Sequence, residues 1–264
     1  MAVLVAREAR PEGGYVARIT IDNEAKLNTI NRVLAVEIVE TIKQFEDDAA
    51  LRLVILTGAG GRAFVGGADL NELAHLDQNG AAEFITLIHR SCDGFRRLAV
   101  PVIARIDGFA LGAGLEIAAA CDLRVASERS TFGMPEVLVG IPSVVEAALL
   151  PALIGSGRAR RLLLTGETIG ASEALDWGLI DAVAPPEKLD DAVERFAAAI
   201  LAGGPRAIRL QKRLILDWED MSASAAIAQG IDAFAEAYRT DEPHRMATAR
   251  LAEMRARRSL REKR

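Results

Sequence analysis

Cysteine, histidine and aromatic residues are all scarce in this chain, and each scarcity removes a class of function. Cys92 and Cys121 are the only cysteines in 264 residues, too few to staple a chain of this length. His75, His89 and His244 are the only histidines, and neither they nor the cysteines show metal-ligand spacing, so no metal is expected. Aromatics make up 5% of the residues, which leaves Ala, Leu, Val and Ile to build the core. No uncharged apolar run approaches the ~20 residues of a membrane span. An excess of positive charge is missing too: the net charge is −5 and the pI about 5.4, which argues against a chain made to coat nucleic acid. Nothing ahead of the first expected strand has the pattern of a signal peptide. A cytoplasmic protein with reduced thiols, no membrane segment and no nucleic-acid partner is the expectation.

What the chain does have is half hydrophobic residues and about a quarter charged ones, the balance of a folded globular protein. Residues 15–21 (YVARITI) alternate like a half-buried strand, and from Ile30 the apolar positions Leu34, Ile38, Ile42 and Phe45 recur at helical spacing. Residues 51–57, 100–106 and 123–126 predict further strands, with short ones near Thr131 and over 181–184, and residues 81–98 predict a helix. Strands and helices alternate early and helices accumulate late. That order predicts an α/β class with a mainly parallel core, followed by a helical region. The boundary is placed at Gly203-Gly204-Pro205, giving units 1–203 and 204–264.

Three segments can carry chemistry. In residues 63–70 (AFVGGADL), read as a loop, Gly66 and Gly67 permit positive φ and leave the Ala68 amide free to face a ligand. The plainer alternative is a tight turn with Asp69 as a helix N-cap. In residues 109–122 (FALGAGLEIAAACD), a helix starting near Ala113 has first amides without intrahelical acceptors. Such a donor aimed at a carbonyl oxygen is worth ~3–4 kcal/mol in a transition state. Glu116 follows inside an apolar run, where burial would be costly without a role; a solvated helix start is the alternative. Glu136, after Pro135, reads by itself as an edge or turn residue. Together, two glutamates and two glycine-flanked amides suit acidifying the carbon next to a thioester while carboxylates move protons and activate water.

These segments resemble the enoyl-CoA hydratase/isomerase (crotonase) family. Gly58 with Phe64-Val65-Gly66-Gly67-Ala68-Asp69-Leu70, Pro101-Val102-Ile103-Ala104, and Gly108-Phe109-Ala110-Leu111-Gly112-Ala113-Gly114-Leu115-Glu116 carry the likeness. Cys121-Asp122-Leu123-Arg124-Val125-Ala126, Phe132-Gly133-Met134-Pro135-Glu136, Leu164-Thr165-Gly166-Glu167 and Asp176-Trp177-Gly178-Leu179-Ile180 continue it in order, over roughly residues 10–250. The resemblance implies a crotonase-like spiral of ββα turns and a C-terminal helical trimerisation region, with a homotrimer or a dimer of trimers. It implies an oxyanion hole at the amides of Ala68 and Ala113, catalytic Glu116 and Glu136, and an acyl-CoA substrate in place of any separate cofactor. The 25–27 segment, Ala25, Lys26 and Leu27, resembles the family's adenine-contacting loop, and Gly67, Asp69, Leu70 and Gly112 fall in the substrate-binding motifs. Family hydratases keep both glutamates whereas isomerases commonly keep the second, so hydration of a 2-enoyl-CoA is the expected activity. The alternatives are isomerisation or another acyl-CoA lyase reaction. A further alternative is an RNA-binding relative, on the strength of residues 245–264, where eight Lys or Arg face two acids; aromatic stacking residues are absent there.

The likeness weakens after Gly140, where Ile141-Pro142-Ser143-Val144-Val145-Glu146 replaces the family's glycine-rich stretch. Ser143 and Glu146 have the spacing of a helix capping box, which predicts reciprocal side-chain bonds to each other's amides. The competing expectation is that Glu146 enters the acyl pocket and selects substrate.

Overall fold

A computed structural model describes residues 1–262 of the chain. The chain divides into two compact units, Met1–Ala198 and Ala199–Arg264. Lys263 and Arg264, the end of the basic stretch, lie outside the described residues.

In the first unit the strands are β1 (Ala2–Ala9), β2 (Tyr15–Asp22), β3 (Leu51–Gly58), β4 (Ala63–Val65), β5 (Val102–Ile106) and β6 (Phe109–Leu111). They continue with β7 (Leu123–Ser127), β8 (Thr131–Gly133), β9 (Thr168–Gly170) and β10 (Ala182–Ala184). The helices are α1 (Arg32–Lys43), α2 (Leu70–Leu73), α3 (Gln78–Arg97), α4 (Ala113–Ala120), α5 (Leu150–Ile154), α6 (Ser156–Thr165) and α7 (Ala171–Trp177). Helix α8 (Leu189–Leu201) runs across the division, and α9 (Pro205–Trp218), α10 (Ala223–Ala237) and α11 (Glu242–Glu262) belong to the second unit.

The sheet order is β1-β2-β3-β5-β7-β10 in one sheet and β4-β6-β8-β9 in the other. Successive strands therefore alternate between sheets: β3 then β4, β5 then β6, β7 then β8. Each pair is followed by a helix or a 3₁₀ turn, so the chain climbs in ββα turns. The climbing strands pair in parallel, β3 with β5 and β5 with β7, β4 with β6 and β6 with β8. Among the described residues only the outer pairs β1–β2 and β8–β9 are antiparallel. This is the spiral fold that the resemblance implies.

Burial explains the composition of the elements. β3 is buried at Leu51–Gly58 except for its last residue, as a central strand covered on both faces must be, and its sequence is accordingly almost continuously apolar. Helix α1 starts at Arg32 because the Asn31 side chain accepts the Leu34 amide, and it buries Leu34, Ala35, Ile38 and Ile42. Asp77 caps α3 through the Gly80 amide. Every residue of α4 is buried, Glu116 included; an eight-residue helix apolar on all sides has no solvent face to offer a charge.

The strand reading missed β1, β4, β6 and β9. β1 (AVLVAREA) lacks period-two alternation because it is an edge strand with much of its length exposed. The other three are only three residues long, too short for a period to register. Residues 63–65, read as part of a loop, are β4.

Candidate active site

The spiral decides where the candidate residues meet. β4, β6 and β8 are parallel neighbours, and the chain leaves their C-terminal ends in three adjacent loops. Ala68 follows β4, Gly112 and Ala113 follow β6, and Glu136 follows β8. Segments more than twenty residues apart in sequence are thus aligned by one sheet edge.

The first loop is shaped by a single parallel bridge between Ile30 and Ala68. The Ile30 amide donates to Gly67 O at 2.8 Å, and the Asp69 amide donates to Ile30 O at 2.9 Å. In this pattern the flanking residues make the bonds, so the N–H of Ala68 faces the other way. Gly67, at φ 108°, makes the turn. Gly66 was expected to share that conformation, but it is not among the residues at positive φ; one left-handed residue is enough. Asp69 is the N-cap of α2, accepting from the Asn71 amide. It also receives Lys26 Nζ at 2.8 Å, and that hydrogen bond holds the Asp69 carboxyl below the usual carboxylate range.

The second loop turns at Gly112, with φ 51° and ψ −121°. A Cβ there would collide with Glu136 Oε1 and stand 3.9 Å from the Cα of Gly67. Glycine is needed on both counts, and the collision shows how closely the three loops converge. Ala113 opens α4, so its amide has no carbonyl one turn back to bond, and the helix N-terminus favours negative charge in front of it.

Glu116 lies one turn into α4 and is 4% exposed, which overturns the solvated-helix alternative. Burial pushes its carboxyl up to about 8, with further upward push from Glu136 and Glu146; the backbone amides of Ala147 and Val144 pull it down. Glu136 sits in the 3₁₀ turn Pro135–Val139, half-buried, and accepts a hydrogen bond from Ser143 Oγ.

These groups line one cavity of about 1010 Å³. Lys26, Leu27, Gly67, Ala68, Asp69, Leu70, Gly112, Ala113, Glu116 and Glu136 all contribute to its wall. Ala25 is exposed and does not line it. The rest of the lining is mostly aliphatic, with Leu73, Leu76, Ile85, Ile88, Leu138, Val139, Ile141 and Val144 among it, beside Phe84 of α3 and the polar Thr29 and Asn71. Among the described residues no group of three or more His, Cys, Asp or Glu is placed to hold a metal, and no helix is long and apolar enough to cross a membrane.

The capping box at 143–146 does not form. The turn Val145–Leu149 has Val144 at its N-cap and no side-chain cap. Ser143 is drawn instead to Glu136, and Glu146 to His89, whose Nδ1 lies 2.8 Å from its Oε1. Both side chains take side-chain partners brought in by the fold in place of the backbone amides of the box. Ser143, the amides of Val144 and Ala147, and the His89–Glu146 pair are site features that the sequence reading missed. No local pattern announces them, since each depends on the 140–147 segment meeting α3, α4 or Glu136.

The spiral turns thus deliver two amides and two carboxylates to one largely apolar cavity. Known proteins identify the family. The profile of the Enoyl-CoA hydratase/isomerase family matches residues 12–257. A short-chain-enoyl-CoA hydratase of Clostridium acetobutylicum is 36% identical over 237 residues, 89% of this chain and 91% of its own. A crotonyl-CoA hydratase of Syntrophomonas wolfei is 35% identical over 242 residues, covering 91% and 93%. The crystal structure of an enoyl-CoA hydratase from Bacillus anthracis superposes with a TM-score of 0.90 at 32% identity, over 96% of this chain and 97% of that one. The chain belongs to the enoyl-CoA hydratase/isomerase (crotonase) family, whose members act on acyl-CoA thioesters.

Proposed function

We propose that this protein hydrates the 2,3 double bond of a 2-enoyl-CoA. The observation that carries the reading is the pair of carboxyls, Glu116 and Glu136, in one cavity that Ala68 and Ala113 also line. In this reading the thioester oxygen accepts from both amides, which draws electron density away from the β-carbon. Glu116 takes a proton from water as its oxygen bonds to the β-carbon. Glu136 gives a proton to the α-carbon, so hydroxide and a proton are added to adjacent carbons. Proton exchange with solvent then strips Glu116 and reloads Glu136, for a net consumption of one water. In the reverse direction the roles exchange.

The aliphatic lining supports an apolar acyl group. Lys26, paired with the buried Asp69 at the cavity rim, supports placement of the CoA portion near residues 26–27. In the second unit, Ile227, Ile231 and Phe234 form an exposed stripe at helical spacing on α10, which supports the expected association of copies.

The test is to incubate the protein with a panel of 2-enoyl-CoA thioesters and follow loss of conjugation together with the 3-hydroxyacyl product. Loss of conjugation with that product supports hydration. Migration of the double bond without it would move the assignment to isomerisation.

A further inference from the structure

The 3₁₀ turn Val145–Leu149 carries a carboxylate that the proposed reaction does not use. Glu146 is 6% exposed. Its Oε1 is bonded to His89, its Oε2 is buried, and its other side-chain partner is the weakly donating, buried Cys92 thiol. A buried, half-satisfied carboxylate costs stability that an apolar residue would not. Val145, just before it, sits at φ 39°, a region that β-branched residues avoid. Strain next to an underpaired buried charge marks a place held for more than packing.

The surroundings say what that is. The turn packs against α3, α4 and α5. From α3 the titratable groups are His89, Cys92 and Arg96; from α4 there is Glu116, with Glu136 across the site; α5 has none. Val144 lines the acyl cavity. Val145 and Glu146, with His89 and Arg96, line a separate depression of about 350 Å³ that shares no residue with the acyl cavity. The segment is therefore a thin wall: its Val144 and Ala147 amides serve the Glu116 carboxyl, and Glu146, between them in sequence, is tied to half-exposed His89 on α3.

We propose that Glu146, anchored by His89, is a positioning residue for Glu116: it fixes the segment whose amides receive the Glu116 carboxyl and places a third negative charge beside it. The role rests on the hydratase reading in that Glu116 is taken as the group whose proton matters. Glu146 helps push the Glu116 carboxyl up, and after burial it is the largest influence raising the Cys92 thiol, ahead of Glu116.

The experiment reads Glu116 directly. In protein labelled with ¹³C-glutamate, the protonated-carboxyl stretch that E116Q removes is followed against pH by infrared difference spectroscopy. In the unmutated protein its midpoint is expected near 8. E146Q keeps an acceptor for His89 but loses the charge, and is expected to lower the midpoint by about half a pH unit or more, while E146D restores it. An E146Q midpoint equal to that of the unmutated protein overturns the proposal. If E146Q does not fold, H89A is read instead: without its anchor Glu146 no longer fixes the segment, so the midpoint moves, and an unmoved one overturns the proposal. Enoyl-CoA hydration is assayed on the same samples. A shifted midpoint in a protein that hydrates no enoyl-CoA supports the positioning role and refutes the hydratase reading. Hydration with an unmoved midpoint refutes the positioning role alone.

Discussion

Ser143 Oγ donates to Glu136 Oε2 at 2.7 Å, tying the acid of one 3₁₀ turn to a residue seven positions later. With Gly112 against the other oxygen, the bond leaves the Glu136 carboxyl one orientation. Removing a hydrogen bond and leaving its buried partner unsatisfied costs about 1–3 kcal/mol where the bond matters. S143A is therefore expected to lower kcat about tenfold or more with KM within about threefold, because the bond orients a reacting group and does not hold substrate. Steady-state kinetics on the best enoyl-CoA checks this, and an unchanged kcat would remove Ser143 from the site.

Glu116 and Glu136 come from different turns of the spiral, so neither is needed to form the other's loop. E116Q and E136Q are each expected to lose at least about 100-fold in turnover, the usual contribution of a positioned acid or base. Binding of a saturated acyl-CoA, followed by calorimetry, is expected to change little. Near-normal turnover in either variant would end the two-carboxylate mechanism.

Phe84, Ile85 and Ile88 of α3 and Leu138, Val139 and Ile141 line the cavity, and in the proposed reading they wall its acyl end. Ile85 is only partly buried, so a larger side chain there extends into open space without overpacking the core. I85W is expected to shift the ranking of kcat/KM toward short acyl chains, with the melting temperature close to that of the unmutated protein. A ranking that does not move would place the acyl chain elsewhere.

The sequence was most legible where one element decides a residue's setting. Leu34, Ile38 and Ile42 announce α1 by their spacing, and the apolar run around Glu116 announces a buried carboxyl. Glycines before Ala68 and Ala113 mark free amides, because a tight turn and a helix start are both local events. The 140–147 segment was illegible for the opposite reason. Ser143 and Glu146 do fit a capping box, but the box competes with Glu136 and His89, which only the folded chain brings near. β4 and β6 were hidden by their length, although they align the site.

The raised Glu116 carboxyl makes one proton visible in two measurements. Folding moves its midpoint from an ordinary 4.5 to about 8, so between those values the folded state holds a proton that the unfolded state has lost. Stability then falls as pH rises across this window, by up to about 1.4 kcal/mol per pH unit. E116Q, which cannot titrate, is expected to lack this slope, so denaturant midpoints of the two proteins diverge from about pH 5 to 8 in favour of the variant. The same proton must be absent from Glu116 before it can accept one from water. The kcat/KM for hydration is accordingly expected to rise with pH on a limb near 8, in the direction opposite to stability. Parallel pH series of unfolding and of hydration check both signs. A stability slope that E116Q retains would assign the proton to another group, and a hydration limb that falls through this range would make Glu116 the acid and not the base.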